Sequence, residues 1–239
     1  METMKIAAII TAGGMGLRLP GKVKKQFRLL AGKPLLVHTL QTFVLHPFLK
    51  EIIIVLPEND MESFRCVMDE YYPDIEEKHI VRYVSGGAQR QDSVYNALQA
   101  CSADTDIVLI HDGVRPFVTK KIIDDLIALA KETSAAIPTA PVKNTIKTIS
   151  GDIIDHTLRR DILLKAFTPQ VFNYQLLMKC YNKAMKEHYY STDDAALLEH
   201  YGYKVFYLND SSHNIKITDE FDFFVAENLI NFSNTIYED

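Results

Sequence analysis

Short apolar runs recur along the chain, and most are followed by a longer stretch whose apolar positions return every three or four residues. The runs "KIAAIIT" (5–11), "EIIIVLP" (51–57), "IVRYVSG" (80–86), "DIVLIHD" (106–112), "SAAIPTA" (134–140) and "KVFYLND" (204–210) predict strands. They are apolar on both faces instead of alternating, the pattern of a parallel sheet covered by helices on both sides. Helices are predicted in "PLLVHTLQTFVLH" (34–46), "NDMESFRCVMDEYY" (59–72), "QDSVYNALQAC" (91–101) and "KKIIDDLIALAKE" (120–132). Strand and helix in alternation imply repeated βαβ units, hence an α/β fold with a doubly wound, mostly parallel sheet. No low-complexity linker, charge run or internal repeat divides the chain, so residues 1–239 read as one domain.

One stretch departs from the alternation. "NTIKTISGDIIDHTL" holds two β-rich runs around Ser150-Gly151-Asp152, a hairpin signal at about 142–160. It has no helical partner in sequence. Two readings are open: an arm that projects from the body to meet another subunit, or an edge hairpin of the main sheet.

The 239 residues are 47% hydrophobic and 24% charged, with a net charge of −5. A surface negative overall repels nucleic acid and anionic lipid, so neither is expected as a partner. Against that background one basic cluster stands out. Arg18, Lys22, Lys24, Lys25 and Arg28 follow a turn built on Gly13, Gly14 and Gly16, with no acidic residue between them. Glycines admit a ligand close to the backbone, and clustered cations suit an anion. A strand, a turn and a solvated basic loop would give the same letters. Cys66, Cys101 and Cys180 share no C-x-x-C spacing, which implies reduced thiols and no structural zinc. The first apolar run is too short for a signal peptide, and no run nears the ~20 residues that span a bilayer. A cytoplasmic protein is expected.

In open α/β sheets, ligands bind beyond the carboxyl ends of the strands. The loops that should lie there are "GGMGLRL", "GGAQRQDS" and "HDGVRPF". Each candidate also has a plain structural role. Ser93 or Asp92 could cap a helix, Asp112 and Arg115 could form an ion pair, and His111 could be a packed strand-end residue. Thr168 precedes a proline, which forces extended backbone. Ser191, Thr192 and Asp193 are N-cap candidates for a helix that stops at Gly202. Lys216 interrupts the strand-like "NIKIT", and Arg159 and Arg160 end the hairpin, at least one of them as surface charge. The sequence lacks G-x-S-x-G, H-E-x-x-H and the Walker A pattern, and "GGMGLRL" lacks the third glycine of a dinucleotide fingerprint. "DTD" at 104–106 precedes its strand and reads as a loop.

Taken in order, "TAGGMGLRL…KKQF", "GGAQRQDSV", "HDGVRPF", "PVKNTIK", "TPQVF", "TDDAALLE" and "NIKIT" resemble the 2-C-methyl-D-erythritol 4-phosphate cytidylyltransferases of the non-mevalonate isoprenoid pathway. The resemblance implies a Rossmann-like nucleotidyltransferase fold. The partners would be CTP and a sugar-alcohol phosphate, with magnesium held mainly by the triphosphate and no protein metal ligands. It also implies a homodimer in which the arm reaches the neighbouring subunit. Arg18 and Lys25 match transition-state stabilisers; Arg160 and Lys216 match residues that position the acceptor phosphate. Asp112, Arg115, Thr145, Thr168 and Thr192 match acceptor-pocket positions. Ala12, Gly13, Gly14, Gly16, Gly87 and Ser93 fall in the nucleotide-binding motifs. The chain departs from the family pattern at Thr11-Ala12-Gly13-Gly14 and at Lys24. The same "AGG" occurs in ribitol 5-phosphate cytidylyltransferases, so that activity is one alternative. A non-catalytic nucleotide-binding regulatory protein is another.

Overall fold

A computed structural model describes residues 4–14, 24–210 and 213–236. Arg18 and Gly16, with Lys22, lie outside the described residues. In chain order the strands are β1 (Ile6–Thr11), β2 (Leu29–Leu30), β3 (Lys33–Pro34), β4 (Leu49–Leu56), β5 (Ile80–Ser85), β6 (Ile107–Asp112), β7 (Ala135–Pro141), β8 (Lys147–Ser150), β9 (Ile153–Thr157), β10 (Leu164–Ala166), β11 (Gln170–Asn173) and β12 (Phe206–Asn209). The helices are α1 (Leu35–Val44), α2 (Met61–Tyr71), α3 (Ile75–Lys78), α4 (Arg90–Ala100), α5 (Lys120–Thr133), α6 (Tyr174–Glu187), α7 (Asp194–His200) and α8 (Glu220–Ile236).

The main sheet runs β10-β7-β11-β6-β1-β4-β5; β10 and β11 follow one another along one edge of β7, and β12 also pairs with β7. Strands β6, β1, β4 and β5 are parallel, as is the β12–β7 pair, whereas β10 and β11 are antiparallel to their neighbours. All six strands expected from the apolar runs are present. Alternate side chains along β1 explain their two-sided apolarity. Ile6, Ala8 and Ile10 pack with α1, α2 and α5, while Ala7 and Ile9 pack with α4, α6 and α7. A third cluster joins Leu30, Leu35, Val114 and Ile217 to Phe223 and Ala226 of α8.

Strands β8 and β9 form a separate two-stranded hairpin turning at Gly151, whose φ is +59°. It joins no edge of the main sheet and is exposed almost throughout. The projecting arm is therefore the form adopted. The strand-like "NIKIT" is corrected: 214–218 form no regular strand. The segment is instead fixed by the Ile217 N–H donating to the Val114 carbonyl at 3.0 Å and by burial of Ile217.

Candidate active site

A cavity of about 660 Å³ opens at the carboxyl ends of β1, β5 and β6. The loop after β1 contributes Ala12, Gly13 and Gly14. Its base is pinned by Gln26, 2% exposed, whose amide donates to the Ala12 carbonyl at 2.9 Å. The loop after β5 contributes Gly87 and Ser93. The Gly87 N–H donates to Ser93 Oγ at 3.0 Å, and that hydroxyl donates to the Gln89 carbonyl. A Cβ on Gly87 would fall 2.3 Å from Asp92 Cβ, so only glycine fits this turn. A Cβ on Gly14 would meet no atom within 4 Å.

Three described cations line the same cavity: Lys25, Arg90 and Lys216. The basic cluster read from the sequence is thus divided by the fold. Lys24 pairs with Asp60 at 2.6 Å, and Arg28 pairs with Glu220 at 2.6 Å while lying over the Phe223 ring. Lys25 alone of these three lines the cavity.

Asp112, at the end of β6, is buried amid cations. Lys216 Nζ lies 3.0 Å and Arg115 Nε 3.1 Å from Asp112 Oδ2, and Arg90 Nε lies 3.6 Å from Oδ1. Burial by itself would raise its pKa. The fields of Arg90, Lys216 and Arg115 outweigh burial and hold the carboxyl well below the usual carboxylate range. Arg90 in turn bonds Asp194 at 2.8 Å, and the two carboxylates outweigh its own burial and raise its pKa.

His111 sets the floor beneath Asp112. Its Nε2 contacts the Arg115 carbonyl at 3.0 Å, which can only accept, so Nε2 carries the proton. Nδ1 therefore accepts from the Thr168 hydroxyl at 3.0 Å, and the Thr168 oxygen accepts from the Asp112 N–H at 3.1 Å. Burial lowers the His111 pKa to about 4, in keeping with a neutral ring. His111 has the packed, hydrogen-bonded role open to it from sequence. Asp112 and Arg115 do form an ion pair, and Arg115 also donates to the Asn214 carbonyl.

The other candidates stand apart from the cavity of their own chain. Thr145 and Arg160 are exposed at the root and end of the arm, with Arg160 donating to the Lys143 carbonyl. Thr192 is exposed one residue before Asp193, which is the actual N-cap and accepts from the Ala196 N–H. Sequence reading passed over Gln26, Arg90 and Asp194. Arg90 was detectable as the cation between the second glycine pair and the helix it starts. Asp194 carried no such signal.

Among the described residues no three His, Cys, Asp or Glu groups could hold a metal ion together. Asp112 is the one described carboxylate lining the cavity, and it is committed to three cations. Among the described residues no helix is long and apolar enough to cross a membrane.

The sequence pattern of the 2-C-methyl-D-erythritol 4-phosphate cytidylyltransferase family matches residues 6–231. A curated protein of that name from Alkaliphilus oremlandii is 41% identical over 95% of this chain and 95% of its own. Another, from Syntrophotalea carbinolica, is 40% identical over 94% of this chain and 95% of its own. Among solved structures, the 4-diphosphocytidyl-2C-methyl-D-erythritol synthase of Anaerococcus prevotii superposes with a TM-score of 0.83 at 30% identity, covering 96% of this chain and 100% of that one. The Francisella tularensis 2-C-methyl-D-erythritol 4-phosphate cytidylyltransferase gives a TM-score of 0.77 at 30% identity, covering 93% and 98%. With the family pattern spanning residues 6–231, relatives 40–41% identical over 94–95% of the chain and the fold in agreement, the chain belongs to the 2-C-methyl-D-erythritol 4-phosphate cytidylyltransferase family.

Proposed function

We propose that this chain transfers CMP from CTP to 2-C-methyl-D-erythritol 4-phosphate and releases pyrophosphate. The observation that carries this reading is a cavity between two glycine turns whose described charged lining is three cations and one already-paired carboxylate. Such a wall suits two polyanions that must meet. An oxygen of the acceptor's phosphate attacks the α-phosphorus of CTP, and the bond from that phosphorus to the bridging oxygen breaks as pyrophosphate leaves. A phosphate dianion is already nucleophilic, so the step needs no general base. Charge gathering on the α-phosphoryl oxygens is met by cations already in place around it. Lys25 serves there, with Arg18 on the family resemblance, and Lys216 orients the acceptor phosphate.

The Gly13, Gly14, Gly87 and Ser93 turns receive the nucleotide. Magnesium enters with the triphosphate, because the cavity offers Asp112 as its described carboxylate and cations hold it. Thr145 and Arg160 act on the partner's cavity in a homodimer. This assembly is supported by the arm's exposed Ile146, Ile149, Ile153 and Ile154, whose contact with water a second subunit would relieve. The three free thiols suit a cytoplasmic enzyme.

Pyrophosphate release tests the reading directly. CTP with methylerythritol phosphate should give turnover, whereas UTP should be a poor donor because its ring carbonyl replaces the cytosine amine. Turnover with ribitol 5-phosphate instead would reassign the acceptor. No release with either would leave a nucleotide-binding protein without catalysis.

A further inference from the structure

A second carboxylate lies behind Arg90 of the cavity wall and does not itself line the cavity. Asp194, the first residue of α7, is 1% exposed. It accepts from the Tyr181 hydroxyl and from Arg90 Nη2, the latter at 2.8 Å. Arg90 therefore stands between two buried carboxylates. Its Nη2 is held by Asp194, and its Nε reaches Asp112 Oδ1 only at the longer distance of 3.6 Å. The other Asp112 oxygen holds Lys216 at 3.0 Å and shares itself with Arg115 Nε at 3.1 Å.

We infer that Asp194 is a positioning residue for the transfer reaction: by drawing Arg90 toward itself, it keeps Asp112 available to fix the Lys216 ammonium in the cavity. The inference rests on the reading of Lys216 given under the proposed function. A guanidinium held between two buried carboxylates will follow the stronger partner, since a buried carboxylate left unpaired is costly. Remove the charge on Asp194 and Arg90 swings fully onto Asp112, where a two-pronged pair competes for the oxygen that Lys216 shares with Arg115; of those two, Lys216 is the one on a flexible, half-exposed stem and is displaced. Lys216 then loses its anchor. Tyr181 supports the arrangement by donating its proton to Asp194 without adding charge.

The test uses Asp194→Asn, which keeps the shape and removes the charge. A crystal structure of this variant should show Arg90 paired with Asp112 and Lys216 Nζ more than about 4 Å from it, beyond ion-pair range. In pyrophosphate release, kcat/KM for the acceptor should fall by roughly 10²-fold, the scale for misplacing a catalytic group by about 1 Å. Binding of CTP measured by calorimetry should change less than about twofold, well inside one decade of affinity. In an Asp112→Asn background the same substitution should have little further effect, because its route to Lys216 is gone.

Lys216 still on Asp112 in the variant structure would overturn the inference, as would an unchanged acceptor kcat/KM or an equal further loss in the Asp112→Asn background. If Asp194→Asn fails to fold, the paired substitution Arg90→Gln/Asp194→Asn removes both charges together. That pair leaves no guanidinium to swing onto Asp112, so its crystal structure should keep Lys216 Nζ within ion-pair range of Asp112, and Lys216 displaced there as well would overturn the inference. A wild-type enzyme inactive with methylerythritol phosphate would sink the functional reading instead. The crystal structure of the variant would still judge the positioning claim.

Discussion

Replacing Gly87 with alanine asks whether the second glycine turn is as tightly fixed as its surroundings imply. The new methyl carbon would lie 2.3 Å from Asp92 Cβ and 3.2 and 3.3 Å from the Asp92 carbonyl carbon and Cα. Ordinary contact begins at 3.4 Å, and all three neighbours sit on or next to the helix backbone. The turn and the start of α4 must therefore part by about 1.1 Å in close-packed surroundings. Overpacking of this kind costs roughly 1–3 kcal/mol. Opening the turn also strains the Gly87–Ser93 hydrogen bond, whose loss adds about 1 kcal/mol. A destabilisation of about 2–4 kcal/mol is expected from the two together. The chain has no tryptophan, so urea unfolding followed by circular dichroism is the suitable assay. A shift of about 1 Å at the cavity should also lower kcat/KM for CTP by on the order of 10²-fold, equivalent to about 2.7 kcal/mol. Gly14→Ala is the control for stability, because its methyl meets open space, and it should unfold with the wild-type midpoint. A Gly87→Ala protein with wild-type midpoint and wild-type kcat/KM would refute the reasoning.

Three further outcomes are expected. Burial holds the His111 pKa to about 4, against 6.5 for the ordinary side chain, so the unfolded chain takes up a proton that the folded chain refuses as pH falls below 6.5. The neutral ring's contribution is complete above pH 6.5 and is lost on acidification toward 4, by up to roughly 3 kcal/mol; His111→Gln should lose less stability over that window, and parallel curves would contradict the assignment. Lys25→Ala should lower kcat by roughly 10²-fold with a smaller change in KM for CTP, whereas a KM effect alone would mean ordinary ground-state binding. Mixing inactive Lys25→Ala and Arg160→Ala proteins, with subunit exchange confirmed, should restore activity if the arm serves the partner's cavity; a mixture that stays inactive would end that proposal.

The frame of the molecule was readable in its residues to the extent that each element declared itself locally. Strands β1, β4, β5, β6, β7 and β12 lie in runs apolar on both faces, and helices α1, α2, α4 and α5 lie in periodic segments. Strands β10 and β11 escaped notice because three and four residues leave too short a pattern, and their pairing with β7 and β6 depends on distant chain. The error at "NIKIT" has the same origin. Its alternating isoleucines look like a strand, yet one of them is buried against α8 and Val114 while the lysine between them reaches Asp112. The glycine turns and Lys25 were visible as a motif. The Arg90–Asp194 pair was not, since its partners lie 104 residues apart and neither looks unusual beside its own neighbours.

The arm has a further consequence that concerns modularity. Its excursion starts where β7 ends and returns where β10 begins, and Pro141 and Leu164 are direct partners in that antiparallel pair. Such partners lie only about 4.5–5.5 Å apart, so everything from 142 to 163 leaves and re-enters the body through one closed gate. A tight turn of two to five residues could bridge that gap without disturbing the strands on either side. The segment exposing most of the arm's apolar surface is thus mechanically separable from the sheet that shapes the cavity. The surface proposed for assembly and the sheet that sets the fold lie in different parts of the chain, and one could change in a lineage or a design while the other stays as it is.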